Sequence, residues 1–395
     1  MNPESSPFRP GQPAPVEFFV GRRAEIERVR AMVRASARGR VGIGFVSGER
    51  GIGKSSLARF VRHLVEQNDG AVGCHVFLGG VQDLGQALRR TFERLLNEST
   101  DKPWHQKLRD FFGDRVRKVG LFGVTLELNL QERDLATLKH GFVTSVRRLL
   151  DNLAEHKRSL FLILDDINGL AGSDEFANWL KSTVDEIATS DVETRLCILV
   201  VGLEARRQEL VKRQPSLARV LDPIDIAPWS DDEGLDFYRA ALREGNAEIT
   251  DAGERLLSLY TGGLPVLAHE LGDAVWRTAR SSRIDRSDVV NGIVVAAAVV
   301  GRKLLEPGIF RAITSERYRS IFRKMMDDPH RMRFRRAQLR SRLTEQERGV
   351  LDNFLRRMKK LGAIEADPEI QGGYRFPNRL YGLYFRMSTV GGNEQ

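Results

Sequence analysis

The feature that most constrains this chain is a glycine-rich loop, Gly48–Ser55, with the sequence Gly-Glu-Arg-Gly-Ile-Gly-Lys-Ser. An apolar stretch, Val41–Val46, precedes the loop, and Ser56–Glu66 follows it with the spacing of a helix. Glycines let the backbone curl until several N–H groups point inward at one anion. The following helix adds the positive end of its dipole. A strand, this loop and then a helix together predict a phosphate-binding site.

The side chains of the same loop complete the chemistry of a nucleoside triphosphate site. Lys54 brings a cation to the β- and γ-phosphates, and the Ser55 hydroxyl is a ligand for Mg²⁺. We therefore predict ATP and Mg²⁺ as the cofactors. The predicted nucleotide contacts in and after the loop are Gly48, Glu49, Arg50, Gly51, Ile52, Gly53, Lys54, Ser55 and Ser56.

A second signal is an apolar run, Leu160–Leu164, that ends in Asp165 and Asp166. Ligands of α/β proteins bind at the carboxyl edge of the sheet, so we predict that Asp165 holds Mg²⁺ directly or through water. Asp166 is predicted to orient or deprotonate the attacking water. An Asp-Asp turn that merely ends an ordinary strand is the alternative, and the complete phosphate loop upstream favours the catalytic interpretation.

Apolar segments alternate with helical ones from Arg22 to about Asp225, which predicts an α/β fold with a parallel sheet covered on both faces. One segment differs, because Val124–Leu130 alternates apolar and polar residues and so predicts a half-exposed strand. Val119–Phe122 is its expected hairpin partner, and core packing is favoured over a partner-binding surface. The other predicted strands are Val41–Val46, Val72–Leu78, Leu160–Leu164 and Leu196–Val201.

The basic residues concentrate in one C-terminal segment. The chain has a net charge of +9, and residues 311–360 contain 16 Lys and Arg against 6 Asp and Glu. Guanidinium groups match phosphate geometry, so this density predicts contact with the backbone of double-stranded DNA. A solvated surface, with Asp352 pairing Arg348 and Arg356, is the alternative. The densest run holds Arg331, Arg333, Arg335, Arg336, Arg340 and Arg342.

One amphipathic helix is predicted over Thr344–Leu361, with Glu347 completing a capping box and Gly362 ending the helix. Strands are predicted at Ala363–Glu365 and Tyr374–Phe376. Helix, helix and hairpin is the order of a winged helix. The predicted apolar stripe of the helix is Val350, Leu351, Phe354, Leu355, Met358 and Leu361.

The order of these motifs resembles the P-loop ATPases of the AAA+/STAND group, particularly the origin-recognition and archaeal-type ATPases. Gly48–Ser55 and Asp165–Asp166 look like the two Walker motifs of that group. Phe19-Val20-Gly21-Arg22 looks like the motif that packs near the adenine, which implies nucleotide contacts from its first three residues. Gly262-Gly-Leu-Pro265 looks like the GxP motif of a helical lid, which implies a contact from Pro265, although a plain turn is the alternative.

The stretch Pro215–Arg219 resembles the end of the ATPase core in this group, where an arginine often stands. The resemblance implies that Arg219 stabilises charge on the transferring phosphoryl group, in cis or from a neighbouring subunit; a surface arginine is the alternative. The chain also departs from the group. It has Gly202-Leu203 where a polar residue is common, Asp166 in place of Glu, and no sensor arginine in the lid. These departures imply slow hydrolysis.

The predicted organisation has four parts: a disordered Pro-rich tail at 1–18, a P-loop ATPase core at 19–228, a helical lid at 229–306 and a winged helix at 307–390. No apolar run reaches the ~20 residues of a membrane span, and no signal peptide is recognisable. Cys74 and Cys197 are expected to be reduced, buried thiols. A cytoplasmic location is therefore expected.

Two functions remain open at this point. The first is an ATP-binding, slowly hydrolysing switch that couples nucleotide state to DNA binding or to homo-oligomer assembly through the winged helix. The alternative is a STAND-like signalling or defence ATPase whose C-terminal domain binds protein. A P-loop kinase is less supported, because the lid and the winged helix would have no role in it.

Overall fold

The computed structural model describes residues 5–12, 19–99, 102, 105–112, 116–119, 125–128, 131–153, 157–309, 313, 315–326 and 332–390. The chain forms two compact units. One is Pro13–Ala227, and the other joins Met1–Gln12 to Pro228–Gln395. Within the described residues, every helix is too short or too polar to cross a membrane.

The unit Pro13–Ala227 alternates strands and helices. It also contains two short 3₁₀ helices, Ile167–Gly169 and Pro215–Arg219. In chain order its elements are α1 (Arg23–Ser36), β1 (Gly42–Ser47), α2 (Lys54–Asn68), β2 (Ala71–Phe77), α3 (Leu84–Glu98), α4 (His105–Phe112), β3 (Val116–Val119), β4 (Thr125–Leu128), α5 (Glu132–His140), α6 (Phe142–Asn152), β5 (Ser159–Asp165), α7 (Asp174–Thr189), β6 (Leu196–Val201), α8 (Glu204–Arg213) and β7 (Asp222–Asp225).

Five parallel strands form its central sheet, in the order β2-β5-β6-β1-β7. Every residue of β1, β5 and β6 is buried, as a parallel sheet covered by helices on both faces requires. Asp165 aligns with Phe77 on one side and with Val201 on the other, so the carboxyl ends of these strands meet at one edge. The predicted parallel α/β sheet is confirmed, and β7 is an edge strand that the sequence pattern did not predict.

The alternating segment forms an antiparallel hairpin beside this sheet. Thr125–Leu128 pairs with Val116–Val119, so the first strand starts earlier than the predicted Val119–Phe122. Residues 120–124, 129 and 130 of these predicted strands lie outside the described residues. The hairpin packs against α3 through β4, and Leu128 is 3% exposed within the core. Core packing, the favoured interpretation, thus has direct support at Leu128.

The other unit is mainly helical. It includes a π-helical turn, Gly301–Leu305. The elements of this unit are α9 (Asp231–Glu244), β8 (Glu248–Ile249), α10 (Asp251–Thr261), α11 (Pro265–Thr278), β9 (Arg283–Ile284), α12 (Arg286–Val300), α13 (Glu316–Met326), β10 (Arg333–Arg335), α14 (Arg336–Ser341), α15 (Glu345–Arg348), α16 (Leu351–Lys360), β11 (Glu365–Ala366), β12 (Gly373–Arg375) and α17 (Arg379–Val390).

Residues 5–12 belong to this helical unit, contrary to the predicted disordered tail. Phe8 is 4% exposed, and its ring centroid lies 5.9 Å from that of Phe237. The ring covers Gly272, where an added Cβ would lie 2.3 Å from a ring carbon. A buried aromatic side chain removes roughly 150–250 Å² from water, which favours the packed position of this segment. Residues 1–4 and 13–18 of the predicted tail lie outside the described residues.

The prediction of one continuous helix over Thr344–Leu361 is wrong, because the segment forms two helices. α15 ends at Arg348 and α16 begins at Leu351. Gly349 disfavours helix between them, and Val350, with φ −112° and ψ 0°, is the N-cap of α16. The capping box of Thr344 and Glu347 is present as predicted. Four residues of the predicted apolar stripe are buried: Leu351, Phe354, Leu355 and Met358.

Glu347 also anchors α15 to α13. Its carboxylate accepts hydrogen bonds from Ser320 Oγ at 2.6 Å and from Lys324 Nζ at 2.7 Å. Burial acts to raise the pKa of Glu347, but these donors and Thr344 lower it to about 2. The capping residue of α15 therefore also links α15 to α13 through an ion pair and a hydrogen bond.

Three short antiparallel strands complete the C-terminal segment, in the order β10-β12-β11. The predicted hairpin corresponds to β11 and β12. β10 lies inside the arginine-rich run and was not predicted, because three residues are too few to show a strand period. α17 packs against α10, α12 and α13. The C-terminal segment is thereby joined to the helices that precede it.

Candidate functional site

The glycine loop adopts a conformation that side chains would hinder. Three glycines of the loop have positive φ values: 149° at Gly48, 77° at Gly51 and 95° at Gly53. Glycine adopts this region without steric cost, whereas residues with a Cβ rarely do. A Cβ added at Gly48 would lie 2.9 Å from the carbonyl oxygen of Ile226. Gly53 is the N-cap of α2, whose first turn contains no acidic residue. The positive end of this helix is therefore available to an anion.

Lys54, the first residue of α2, folds back over the loop. Its Nζ donates hydrogen bonds to the carbonyl oxygens of Gly48 at 2.9 Å and Glu49 at 2.7 Å. Burial lowers the pKa of the Lys54 ammonium, and the nearby charge of Asp165 opposes that shift. A phosphate oxygen is a stronger acceptor for an ammonium group than a neutral carbonyl. The lysine therefore stands where it can transfer its hydrogen bonds to a phosphate.

Asp165 is the last residue of β5 and is 2% exposed. Its Oδ2 lies 2.8 Å from Nε2 of His75 in β2. The His75 ring in turn stacks on Phe77, with 4.5 Å between the ring centroids. His75 was not among the predicted site residues. The only sequence signal for it is a polar residue inside an otherwise apolar strand, Val72–Leu78.

The donor groups at this edge of the sheet fit Mg²⁺. A serine hydroxyl and a carboxylate are the hard oxygen ligands that this ion prefers. Ser55 follows Lys54 in the first turn of α2, and the charge of Asp165 acts on the Lys54 ammonium. Ser55 and His75 also line the same cavity, of about 480 Å³. The structure thus gathers both predicted metal ligands near the phosphate loop.

Asp166 has a different environment from Asp165. It has left the strand with φ 57° and ψ 55°, a left-handed conformation that aspartate tolerates better than most residues. Its side chain is exposed and accepts a hydrogen bond from Asn168 Nδ2. A Cβ added at Gly79, just after β2, would lie 2.7 Å from Asp166 Oδ2. One carboxylate is therefore buried and the next reaches water.

The predicted motif Phe19–Arg22 contacts the phosphate loop and the helix that follows it. The Arg22 guanidinium is 6% exposed and donates hydrogen bonds to the carbonyl oxygens of Ile52, at 3.3 Å, and of Ala227. Phe19 stacks on Phe60 of α2, with ring centroids 4.5 Å apart. Arg22, which was not predicted as a site residue, thus ties the phosphate loop to the backbone that follows β7.

Two predicted residues lie apart from this cluster in the chain. Arg219 is exposed at the end of the 3₁₀ helix Pro215–Arg219. Pro265 is the first residue of α11, in the helical unit. Gly263 in the same turn has φ 72° and packs against the Trp229 backbone. The roles predicted for Arg219 and Pro265 stay predictions.

Comparison with known proteins agrees with this geometry. Residues 19–199 match the family model of the AAA ATPase domain. This stretch of the chain, which contains the glycine loop and both aspartates, is therefore similar to AAA ATPase domains. No curated protein sequence gives a significant match to the chain.

Solved structures resemble almost the whole chain. A Walker-type ATPase of Pyrococcus abyssi superposes with a TM-score of 0.57 at 17% identity, covering 93% of this chain and 96% of its own. The ORC2 protein of Aeropyrum pernix, solved as ADPNP–ADP complexes, gives a TM-score of 0.55 at 15% identity, covering 95% and 98%. These likenesses concern the fold, and the five-stranded sheet with its helices has the fold of a P-loop ATPase core.

Proposed function

We propose that the chain binds ATP with Mg²⁺ at Gly48–Ser55 and hydrolyses it slowly, as a nucleotide-dependent switch. The observation that carries the proposal is the conformation of the loop. Three glycines with positive φ lead into the N-terminus of α2, beside the buried carboxylate of Asp165. The ORC2 protein, which has the same fold at 15% identity, was solved as ADPNP–ADP complexes, and this supports nucleotide as the ligand.

Each residue of the site has one task in this proposal. The loop N–H groups and the start of α2 bind phosphate oxygens. Lys54 moves its hydrogen bonds from the Gly48 and Glu49 carbonyls to the phosphates. Ser55 and Asp165 would hold Mg²⁺. When bound, the ion would neutralise part of the phosphate charge. Asp166, the exposed carboxylate, orients or deprotonates the attacking water.

Slow hydrolysis is supported by the surroundings of Asp166. Its carboxylate is engaged by Asn168, which competes with a water molecule for the same oxygen. The residue after β6 is Gly202, where an added Cβ would lie 3.1 Å from the Phe45 ring. Glycine has no side chain with which to hold the attacking water, and the Phe45 ring crowds any larger residue at this position. Arg219 is the proposed source of charge stabilisation, in cis or from a second copy of the chain.

The C-terminal segment is proposed to be a winged helix that binds double-stranded DNA. Its order of helix, strand, helices and two strands, with three antiparallel strands, supports that architecture. Arg333 is paired with Glu369 and Asp367, and Arg336 with Asp352. Asp352 thus forms its ion pair with Arg336, while the charges of Arg340 and Arg356 also act on it. Within the described residues, the exposed cations without an ion pair include Arg335, Arg340, Arg342, Arg356, Arg357, Lys359 and Lys360. Arg331 lies outside the described residues.

The STAND-like alternative keeps the same ATP site and gives the C-terminal domain a protein partner. The ion pairs of Arg333 and Arg336 favour a protein partner over DNA, because they neutralise two of the positive charges that would contact phosphates. The hairpin does not favour it, because Leu128 is buried in the core. The predicted cytoplasmic location belongs to both proposals.

Size-exclusion chromatography with ATP or ADP, with and without duplex DNA, tests the switch. We expect ATP to change the elution of the chain or of its DNA complex relative to ADP. Elution that is the same in every condition would refute the switch.

Calorimetric titration with ATP tests the site itself. Lys54→Ala should abolish binding, and Asp166→Ala should bind ATP and hydrolyse it more slowly than wild type. Lys212→Ala removes an exposed lysine of α8 in the same unit and should behave as wild type. Normal ATP binding by Lys54→Ala would show that the site is assigned wrongly.

A further inference from the structure

A buried histidine–aspartate pair lies at the edge of the sheet where the cation site is proposed. The two side chains are each 3% exposed, and His75 Nε2 is 2.8 Å from Asp165 Oδ2. A buried carboxylate is costly unless it is hydrogen-bonded. The residues next to His75 in β2 are apolar. The hydrogen bond to Asp165 therefore accounts for a polar ring at this position.

Strand register explains why these two residues meet. His75 pairs with Ile163 and Phe77 pairs with Asp165 across β2 and β5, so the histidine lies diagonally opposite the aspartate. Residues two apart in a strand face the same side, and Phe77 therefore provides the surface on which the His75 ring stacks. The ring is thus fixed from one side by Phe77 and bonded at its Nε2 end.

The pair faces the phosphate-binding helix. An added Cβ at Gly73, two residues before His75, would lie within 2.5 Å of the Arg62 side chain of α2. His75 and Ser55 also line one cavity of about 480 Å³. The side of the sheet that carries the pair is therefore the side that carries Ser55, the other proposed cation ligand.

We propose that His75 is a positioning residue for Asp165. The imidazole holds Oδ2 and so fixes the carboxylate, which leaves the other oxygen for the cation that accompanies ATP. Partners of this kind, which bond a metal-ligating carboxylate, change metal affinity by roughly 10–100-fold when removed. This role rests on the function proposed above, since Asp165 must bind the cation.

Affinity for a fluorescent ATP analogue, measured with the full chain in Mg²⁺ and in EDTA, tests this role. His75→Phe keeps an aromatic ring for Phe77 and removes the donor. The gain in affinity that Mg²⁺ gives wild type should fall roughly 10–100-fold in this variant, while affinity in EDTA stays unchanged. His75→Gln, which restores an N–H donor, should recover most of the gain.

His63→Phe is the matched control, because His63 lines the same cavity and has no part in the proposed site. It should keep the wild-type response to Mg²⁺. If His75→Phe does not fold, His75→Val, a residue suited to a buried strand that cannot donate, is measured with the same expected loss.

Two results would overturn the role of His75. One is a full Mg²⁺ response in the folded variant that lacks the donor. The other is an equal loss of affinity in Mg²⁺ and EDTA, which a merely structural role predicts. Absence of any Mg²⁺ response in wild type would instead contradict the proposed cation site, so the two failures are distinguishable.

Discussion

The proposed DNA contact makes a quantitative prediction about salt. Arg340, in α14, and Arg342, just after it, are both exposed and form no ion pair within the described residues. Each phosphate contact steepens the fall of log affinity with log salt by about 0.9. Replacing both arginines with glutamine should therefore reduce the slope by about 1.8. Between about 50 and 200 mM salt, wild type should lose roughly tenfold more affinity than this double variant.

A second double variant separates contact from overall charge. Arg333 lies in β10, and Arg336 is the first residue of α14, the helix that contains Arg340. Carboxylates of Glu369 and Asp352 already pair with these two arginines. Replacing both with glutamine removes the same two charges and should change the slope by less than about 0.9. The assay is fluorescence anisotropy of a labelled duplex with ATP present, across a salt series. Equal slopes for wild type and both variants would refute the assignment of these arginines as phosphate contacts.

Three further predictions concern stability and the loop. Glu347→Gln should lower the free energy of unfolding at pH 7 by about 2 kcal/mol, because it removes the carboxylate whose hydrogen bonds lower its pKa in the folded state. This figure is smaller than the full pKa shift implies, since solvent near the Lys324 pair screens part of the interaction. That deficit should narrow as pH falls from about 4.5 to about 2, since wild type loses the same stabilisation when Glu347 protonates; urea unfolding at several pH values measures it, and a constant deficit would contradict the lowered pKa. Gly48→Ala should fold but lose ATP affinity at least tenfold in calorimetry, because its Cβ meets the Ile226 carbonyl and φ is strained; unchanged affinity would rule out the loop as the phosphate cradle. Phe8→Ala should lower the urea midpoint, with a cost of about 3 kcal/mol for the emptied site, and a wild-type midpoint would mean that the N-terminal segment contributes nothing.

Local sequence signals sufficed for the core of the nucleotide site. Leu196–Val201 was predicted with the bounds that the structure shows, because a fully buried parallel strand is a continuous apolar run. The loop Gly48–Ser55 was equally plain, since its glycines, Lys54 and Ser55 are adjacent in the chain. Both signals depend on residues close in sequence, so no knowledge of the tertiary structure is needed to see them.

The sequence predictions fail at three places, and two of these depend on a partner that is distant in the chain. The tail around Phe8 was predicted to be disordered from its prolines, because its apolar partner Phe237 lies far along the chain. The helix from Thr344 was predicted to run through Gly349, because the apolar period continues across the break. β10 is three residues long and exists because β12 pairs with it.

The sequence by itself determined the alternation of strands and helices in the ATPase-like core, the phosphate loop, and the two aspartates at and just after the end of β5. Only the tertiary structure decided which side chain holds Asp165. His75 is 90 residues away in sequence, and its ring reaches the carboxylate because β2 pairs with β5 in one register. A shift of one residue in this register would turn His75 to the other face of the sheet. The contact is therefore set by pairing between strands, and the sequence shows only a polar residue in an apolar strand.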